Sequence, residues 1–258
     1  MSKFLHKLKE PLLTRREMVA KCGAGLAAII AEGKAPAAII RSAIGAREGI
    51  CSGAVPYDAK VEYLQANNYG ASPSTAVNVI DTGIIPDIDT DVWVCDAQWV
   101  SFGNTAGCWG TTGNRFAFGR GSTSWNDWYF GIGSANNRTS VAYDFNRHIF
   151  KLDGPNRTLT VDDATYTGSG NVTTGAYSVA IFNRNGNNGP TYRQDTNNSR
   201  CYSSKYYRNG RLIQHLIPVR VGSVGYLYDK VNPHSGPDKN GLLGNLGPGA
   251  FTFGADVT

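Results

Sequence analysis

The residues of this 258-residue chain best suited to chemistry are aromatic and acidic side chains set among glycine, serine and asparagine. Trp125-Asn126-Asp127-Trp128-Tyr129, Trp109 and Tyr69 lie in or beside such stretches. An exposed aromatic face stacks on the apolar face of a sugar ring, while Asn and Asp hydrogen-bond its hydroxyls. Trp109, Trp125, Asn126, Asp127 and Tyr69 are therefore the candidates for a glycan site. Trp93, Trp99 and Trp128 fall on apolar runs and are expected in a core. A second constellation, Pro86-Asp87-Ile88-Asp89-Thr90-Asp91, sets Asp87, Asp89 and Asp91 at alternate positions, from which three carboxylates could serve one calcium ion. The glycine and bidentate glutamate of an EF-hand loop do not follow, so a polar turn ahead of a strand is the favoured assignment. No other cofactor is implied.

The remaining chemistry is sparse. The sequence has no G-x-S-x-G elbow, Walker loop or H-E-x-x-H, and His6, His148, His215 and His234 lack the spacing of metal ligands. Cys22, Cys51, Cys95, Cys108 and Cys201 are odd in number and form no C-x-x-C pair. They are expected mostly as free thiols filling small apolar spaces, with a Cys95–Cys108 or Cys108–Cys201 bridge as the alternative.

The elements that must position these residues are legible in composition and period. Thirty-one glycines, with many Asn, Thr and Tyr, point to short strands joined by tight turns, and 41% apolar with 17% charged residues describes a globular chain. From Val61 onward, period-two or short apolar runs alternate with Gly/Asn/Asp clusters, among them Val92–Val100, Trp128–Ile132, His148–Leu152, Cys201–Arg208 and Arg211–Pro218. Asn209-Gly210 is a two-residue hairpin signal, and Asp162-Asp163 resembles a hairpin turn. A dozen or so strands predict an all-β, two-sheet sandwich.

Residues 1–48 differ. They hold nine Lys/Arg against four Glu, whereas the rest carries sixteen of each sign, so the whole net charge of +5 sits in this segment. The body thus lacks the electrostatic footprint of a nucleic-acid-binding protein. Thr14-Arg-Arg-Glu17 fits a capping box, opening a helix through Leu26, Ile29 and Ile30; Pro36 suits the first turn of a second, with Ile39 and Ile40 on one stripe. This short α-helical segment is expected to dock on a partner through Arg15, Arg16, Leu26, Ile29, Ile30, Ile39 and Ile40. The alternatives are a twin-arginine export signal around Arg15-Arg16 and an amphipathic anchor. Glu32 and Lys34 interrupt the apolar run well short of the roughly 20 residues a membrane span needs. Residues 49–56 form a linker, and 57–258 the sandwich.

The sandwich segment resembles a known family. "YDAKVEYLQA" at 57–66, "VIDTGIIPDIDTDVWV" at 79–94, "YYRNGRLIQHLIPVRVGSVGYLYDKV" at 206–231 and "LLGNLGPGAFTFGADV" at 242–257 are similar to the opening and closing segments of laminin-G-like, concanavalin-type lectin domains of gut-bacterial and bacteriophage surface proteins. The insertion at 66–77 and the long loop at 231–241 depart from that pattern. The resemblance implies a concanavalin-like antiparallel jelly-roll sandwich and carries over no binding residue. Laminarinase-type hydrolases share that fold and place acid and nucleophile on an E-x-D-x-E strand. Here there are five Glu in all and none after Glu62, so a glycoside hydrolase would need an Asp-only pair, for which Asp162-Asp163 and Asp87/Asp89/Asp91 are the dense candidates.

Together these features lead to the expectation of a non-catalytic attachment protein. It would be a bacteriophage virion component, a head or tail fibre or decoration protein, exposed on the virion surface. Residues 1–48 would hold another structural protein of the particle, and the lectin-like domain would face a cell-surface glycan, with a homo-oligomer as the usual state of a fibre. An exported bacterial lectin at the cell surface or secreted, a glycoside hydrolase and a purely structural spacer are the competing expectations.

Overall fold

A computed structural model describes residues 55–68, 78–102, 107–111, 115–121, 124–171, 177–185, 192–193, 197–247 and 249–258. The docking segment, with Arg15, Arg16, Leu26, Ile29, Ile30, Ile39 and Ile40, and the candidate Tyr69 lie outside them. Among the described residues there is no helix; the strands form one sheet of twelve and one of eight.

The larger sheet runs Ala164–Thr167, Thr158–Val161, Arg147–Asp153, Asp91–Phe102, Asn197–Arg208, Arg211–Val221, Ala59–Val61, Asp256–Val257, with Leu64–Asn67 also on Asn197–Arg208 and Val224–Asp229 on Arg211–Val221. The smaller runs Tyr192–Arg193, Arg184–Asn185, Gly107–Thr111, Arg115–Arg120, Asp127–Gly133, Ala135–Ala142. Pairing is antiparallel, apart from Arg184–Asn185 lying parallel to Gly107–Thr111.

Period two is clear at the centre of the larger sheet, whereas in the smaller sheet Gly107–Thr111 is buried throughout and Asp127–Gly133 nearly so. In Asp91–Phe102, Asp91, Trp93, Cys95, Ala97 and Trp99 point inward and are buried, while the residues between them face outward. Asn197–Arg208 starts in the same phase with Asn197, Ser199 and Cys201 inside, then changes phase to Ser204 and Tyr206. A register shift between Cys201 and Ser203 causes the change, because one extra residue in a strand reverses every later side chain. Pro218 sits where Arg211–Val221 changes neighbours, from Ser204↔Leu216 to Lys60↔Val219, so its missing N–H falls at a break in the ladder. Asn209 and Gly210, with φ of 51° and 73°, close the expected hairpin between Arg208 and Arg211.

The two inward faces meet in one aromatic core. Trp93, Trp99 and Phe150 from the larger sheet pack on Trp109, Phe118, Trp128 and Phe130 from the smaller, with Trp99–Trp109 at 5.3 Å, Trp93–Phe118 at 4.8 Å and Phe118–Phe150 at 4.9 Å between ring centroids. Two indole N–H groups are satisfied across the layers, Trp99 donating to the Gly107 carbonyl and Trp109 to Ser199 Oγ, while Trp93 donates within its own sheet to Ser204 Oγ. Cys95, Cys108 and Cys201 are buried free thiols, so neither bridge that spacing allowed is present. Burial pushes the Cys95 and Cys201 thiols well up, which keeps them protonated packing groups.

Candidate functional site

The most organised polar surface among the described residues lies on the outer face of the larger sheet. Where Asp91–Phe102 and Asn197–Arg208 point Trp99 and Cys201 inward, they must point Gln98, Arg200 and Tyr202 outward. Register then assembles a row across five strands: Arg147 opposite Gln98, Gln98 opposite Arg200, Arg200 opposite Gln65, and Gln65 opposite Thr252. Asp96, Tyr202 and Tyr63 stand beside it.

Each member is held by a neighbour. Arg147 forms a fork with Asp96, Nε to Oδ1 at 2.7 Å and Nη2 to Oδ2 at 2.6 Å, and its guanidinium lies 3.8 Å from the Tyr202 ring centroid. Hydrogen bonding to Asp96 raises the Arg147 pKa and outweighs the opposing effect of burial. Arg200 lies 4.2 Å from the Tyr63 centroid, with Nε donating to Gln65 Oε1 at 2.7 Å and Nη1 to Gln98 Oε1 at 3.3 Å. Tyr202 Oη donates to that same Gln98 oxygen at 2.8 Å, and Tyr63 meets Tyr202 edge to face at 5.6 Å. Both amides are oriented from behind, Gln98 Nε2 by the Phe145 carbonyl and Gln65 Nε2 by Asn67 Oδ1. The result is a flat, preorganised layer of tyrosine rings and guanidinium planes rimmed by donors and acceptors, which suits a polyhydroxylated ligand more than a proton-transfer reaction.

The residues singled out from sequence have other surroundings. Trp109 is fully buried and offers no face to a ligand, which corrects its assignment to a glycan site. It lies on the strand Gly107–Thr111, whose glycines made that stretch look like a loop. A Cβ at Gly110 would collide with the Phe116 carbonyl and Ala117, so the glycine serves close strand approach. Trp125 and Asp127 do converge, on Arg138, which lies 5.0 Å from the indole centroid and donates through Nε to both Asp127 oxygens at 2.9 and 3.0 Å. Asn126 is exposed beside them and accepts from the Tyr143 amide through its carbonyl. One face of Trp125 is thus covered by an internal cation.

Asp87, Asp89 and Asp91 do not converge; each carboxylate has its own partner. Asp91, fully buried, takes a fork from Arg208 at 2.7 and 2.8 Å, the Tyr206 hydroxyl at 2.9 Å and the Asp87 amide at 2.8 Å. Burial works against its charge, yet these donors together hold its pKa below the ordinary carboxylate value. Asp87 accepts from the Asp89 amide, and Asp89 pairs with Arg157 at 3.0 Å. The stretch is a turn that locks two strand ends together, and among the described residues no group of three His, Cys, Asp or Glu is placed to hold a metal.

The structure also joins residues that sequence reasoning left apart. His148 sits between Asp162, 2.7 Å from Nδ1, and Asp144, 2.7 Å from Nε2, with its ring against Trp128. Burial opposes protonation of His148, but the two carboxylates outweigh it and raise the pKa. Both ring nitrogens are engaged by carboxylates that favour the protonated imidazole, so the side chain clasps two turns and has no nitrogen open to a substrate.

Neither a protein-family model nor a curated protein matches this chain. The outer-face layer therefore stands on its own geometry. Its alternate positions, Asp96 with Gln98, Arg200 with Tyr202 and Tyr63 with Gln65, are visible in sequence as polar phases of strands. Their assembly depends on pairing between distant segments, for which the local sequence carries no signal: Asp96 and Arg147 are 51 residues apart, Gln65 and Arg200 135.

Proposed function

We propose that this protein is a non-catalytic attachment protein whose concanavalin-like, jelly-roll sandwich binds surface glycans through the outer-face layer of Tyr63, Gln65, Gln98, Arg147, Arg200 and Tyr202. The observation that carries this reading is the register that lines Arg147, Gln98, Arg200 and Gln65 across neighbouring strands, with Tyr63 and Tyr202 packed against the two guanidiniums, so that amides and guanidiniums are held before any ligand arrives. Preorganisation matters because a sugar gains little from each hydroxyl unless the partner group is already held in place. Residues 1–48, which carry the whole net charge, dock the chain on a second structural protein, and the particle so decorated is a bacteriophage virion whose fibre or decoration protein this is. The non-catalytic assignment is supported by the absence of any Glu after Glu62 and by the engagement of Asp162 with His148 and the Ile149 amide.

The test is binding of the full-length protein to an immobilised glycan panel. Specific binding that Tyr202→Ala weakens by about tenfold is expected, since stacking aromatics and the groups they orient dominate such sites. A flat response across the panel would favour the sandwich as a spacer that binds nothing.

A further inference from the structure

The two arginines of the layer differ in one respect. Arg147 is neutralised by its fork with Asp96, whereas Arg200, half-buried in the middle of the row, forms no ion pair among the described residues. Its neighbours are the neutral acceptors Gln65 and Gln98 and the face of Tyr63. Nε and one Nη1 hydrogen are used by the two glutamines. Nη2 donates to nothing within the described residues, and it is not among the buried polar atoms that lack partners, so its hydrogens face solvent at the surface of the layer. Glu62 is exposed and acts on Arg147 through space, but it forms no ion pair with either arginine.

A partly desolvated guanidinium with two neutral hydrogen-bond partners and one unused edge is a poor structural element. Its charge costs solvation, and no ion pair among the described residues offsets that cost. It is well suited to a ligand oxyanion, which it can meet with parallel N–H donors while the tyrosines hold the sugar ring. We propose that Arg200 makes the layer selective for anionic glycans, its unused edge receiving a carboxylate or sulfate ester carried on the sugar. This inference rests on the outer-face layer being the glycan site.

The experiment uses the full-length protein on an array of matched glycans: uronate-bearing members beside their carboxyl-reduced forms, and sulfated members beside their desulfated forms. Preference for one acidic series, falling as salt is raised, is the expected result, and which series wins distinguishes carboxylate from sulfate. In Arg200→Gln the ratio of acidic to neutral binding should fall about tenfold or more, the scale of a charged hydrogen bond. Arg200→Lys should recover only part of it, because an ammonium cannot present parallel donors. Unchanged melting temperatures of both variants separate this effect from misfolding. Equal binding of each matched pair, or a ratio untouched by Arg200→Gln, would overturn the selectivity while leaving glycan binding in place. No binding to any member would overturn both.

Discussion

Among single residues, Trp109 and Asp91 show how a side chain suited to binding can belong to the fold. Trp109 fills the space between the sheets, and Trp109→Ala should destabilise the protein by about 3–5 kcal/mol in urea unfolding, the range for removing a buried aromatic. A ligand-facing tryptophan would cost almost nothing by that measure. Asp91 is buried against an arginine that is 38% exposed, so the two partners respond unequally to removal of the other. Arg208→Leu strands a carboxylate in the interior and should cost about 3 kcal/mol, measured the same way, whereas Asp91→Asn leaves a cation that can still reach water and should cost less. Trp93, Trp99 and Trp128 were legible as core residues because apolar neighbours at strand spacing surround them. Trp109 was not, because glycine marks close strand approach as well as loops, and only the partner strand decides between them.

At the scale of elements, local signals were faithful and long-range ones silent. The Asn209-Gly210 turn was legible because its chemistry is self-contained: both residues adopt positive φ, which the Asn-Gly pair tolerates. A Cβ at Gly210 would meet nothing within 4 Å, so Gly210→Ala tests backbone conformation alone and should lower stability by about 1 kcal/mol. The His148 contacts tie three segments: the turn after Ala135–Ala142, the strand Arg147–Asp153 and the hairpin turn at Asp162. His148 has a raised pKa, so its contribution is complete below the unfolded value of about 6.5 and disappears as pH rises through the folded value. Asp144 and Asp162 have lowered values: partial burial opposes their charge, and His148 more than offsets it. Their contribution is present above the ordinary carboxylate range and lost as pH falls through the lowered values. The stability gap between the natural protein and His148→Gln should therefore be widest near about pH 5 and narrow by about pH 9, read as the difference in urea midpoint. A gap that widens with pH would contradict the double carboxylate clasp. The register shift at Cys201–Ser203 had no local signal either, yet it turns Ser204 and Tyr206 inward and so sets which later side chains of Asn197–Arg208 face outward.

At the scale of the whole molecule, charge separates a neutral sandwich from a basic leading segment. If residues 1–48 dock on an acidic surface of a particle, reversing Arg15 and Arg16 to Glu should deplete the protein from purified particles, measured by quantitative mass spectrometry, while full-length variant protein keeps its glycan binding. Composition and period made the all-β sandwich legible, since a sheet with one buried face imposes alternation on its strands, as in Asp91–Phe102, while the strands of the smaller sheet read as short apolar or glycine-rich runs. The proposed binding surface was less legible, because exposed aromatics in Gly/Asn-rich stretches and outward residues on paired strands offer the same chemistry, and only the second kind is positioned by the sheet. The most direct test compares these two surfaces by calorimetric titration of the best array glycan into the natural protein, Tyr202→Ala and Trp125→Ala. Tyr202→Ala should lose at least about tenfold in affinity, and Trp125→Ala should bind as the natural protein does. Loss of binding in Trp125→Ala with Tyr202→Ala unaffected would contradict this and move the site to the smaller sheet.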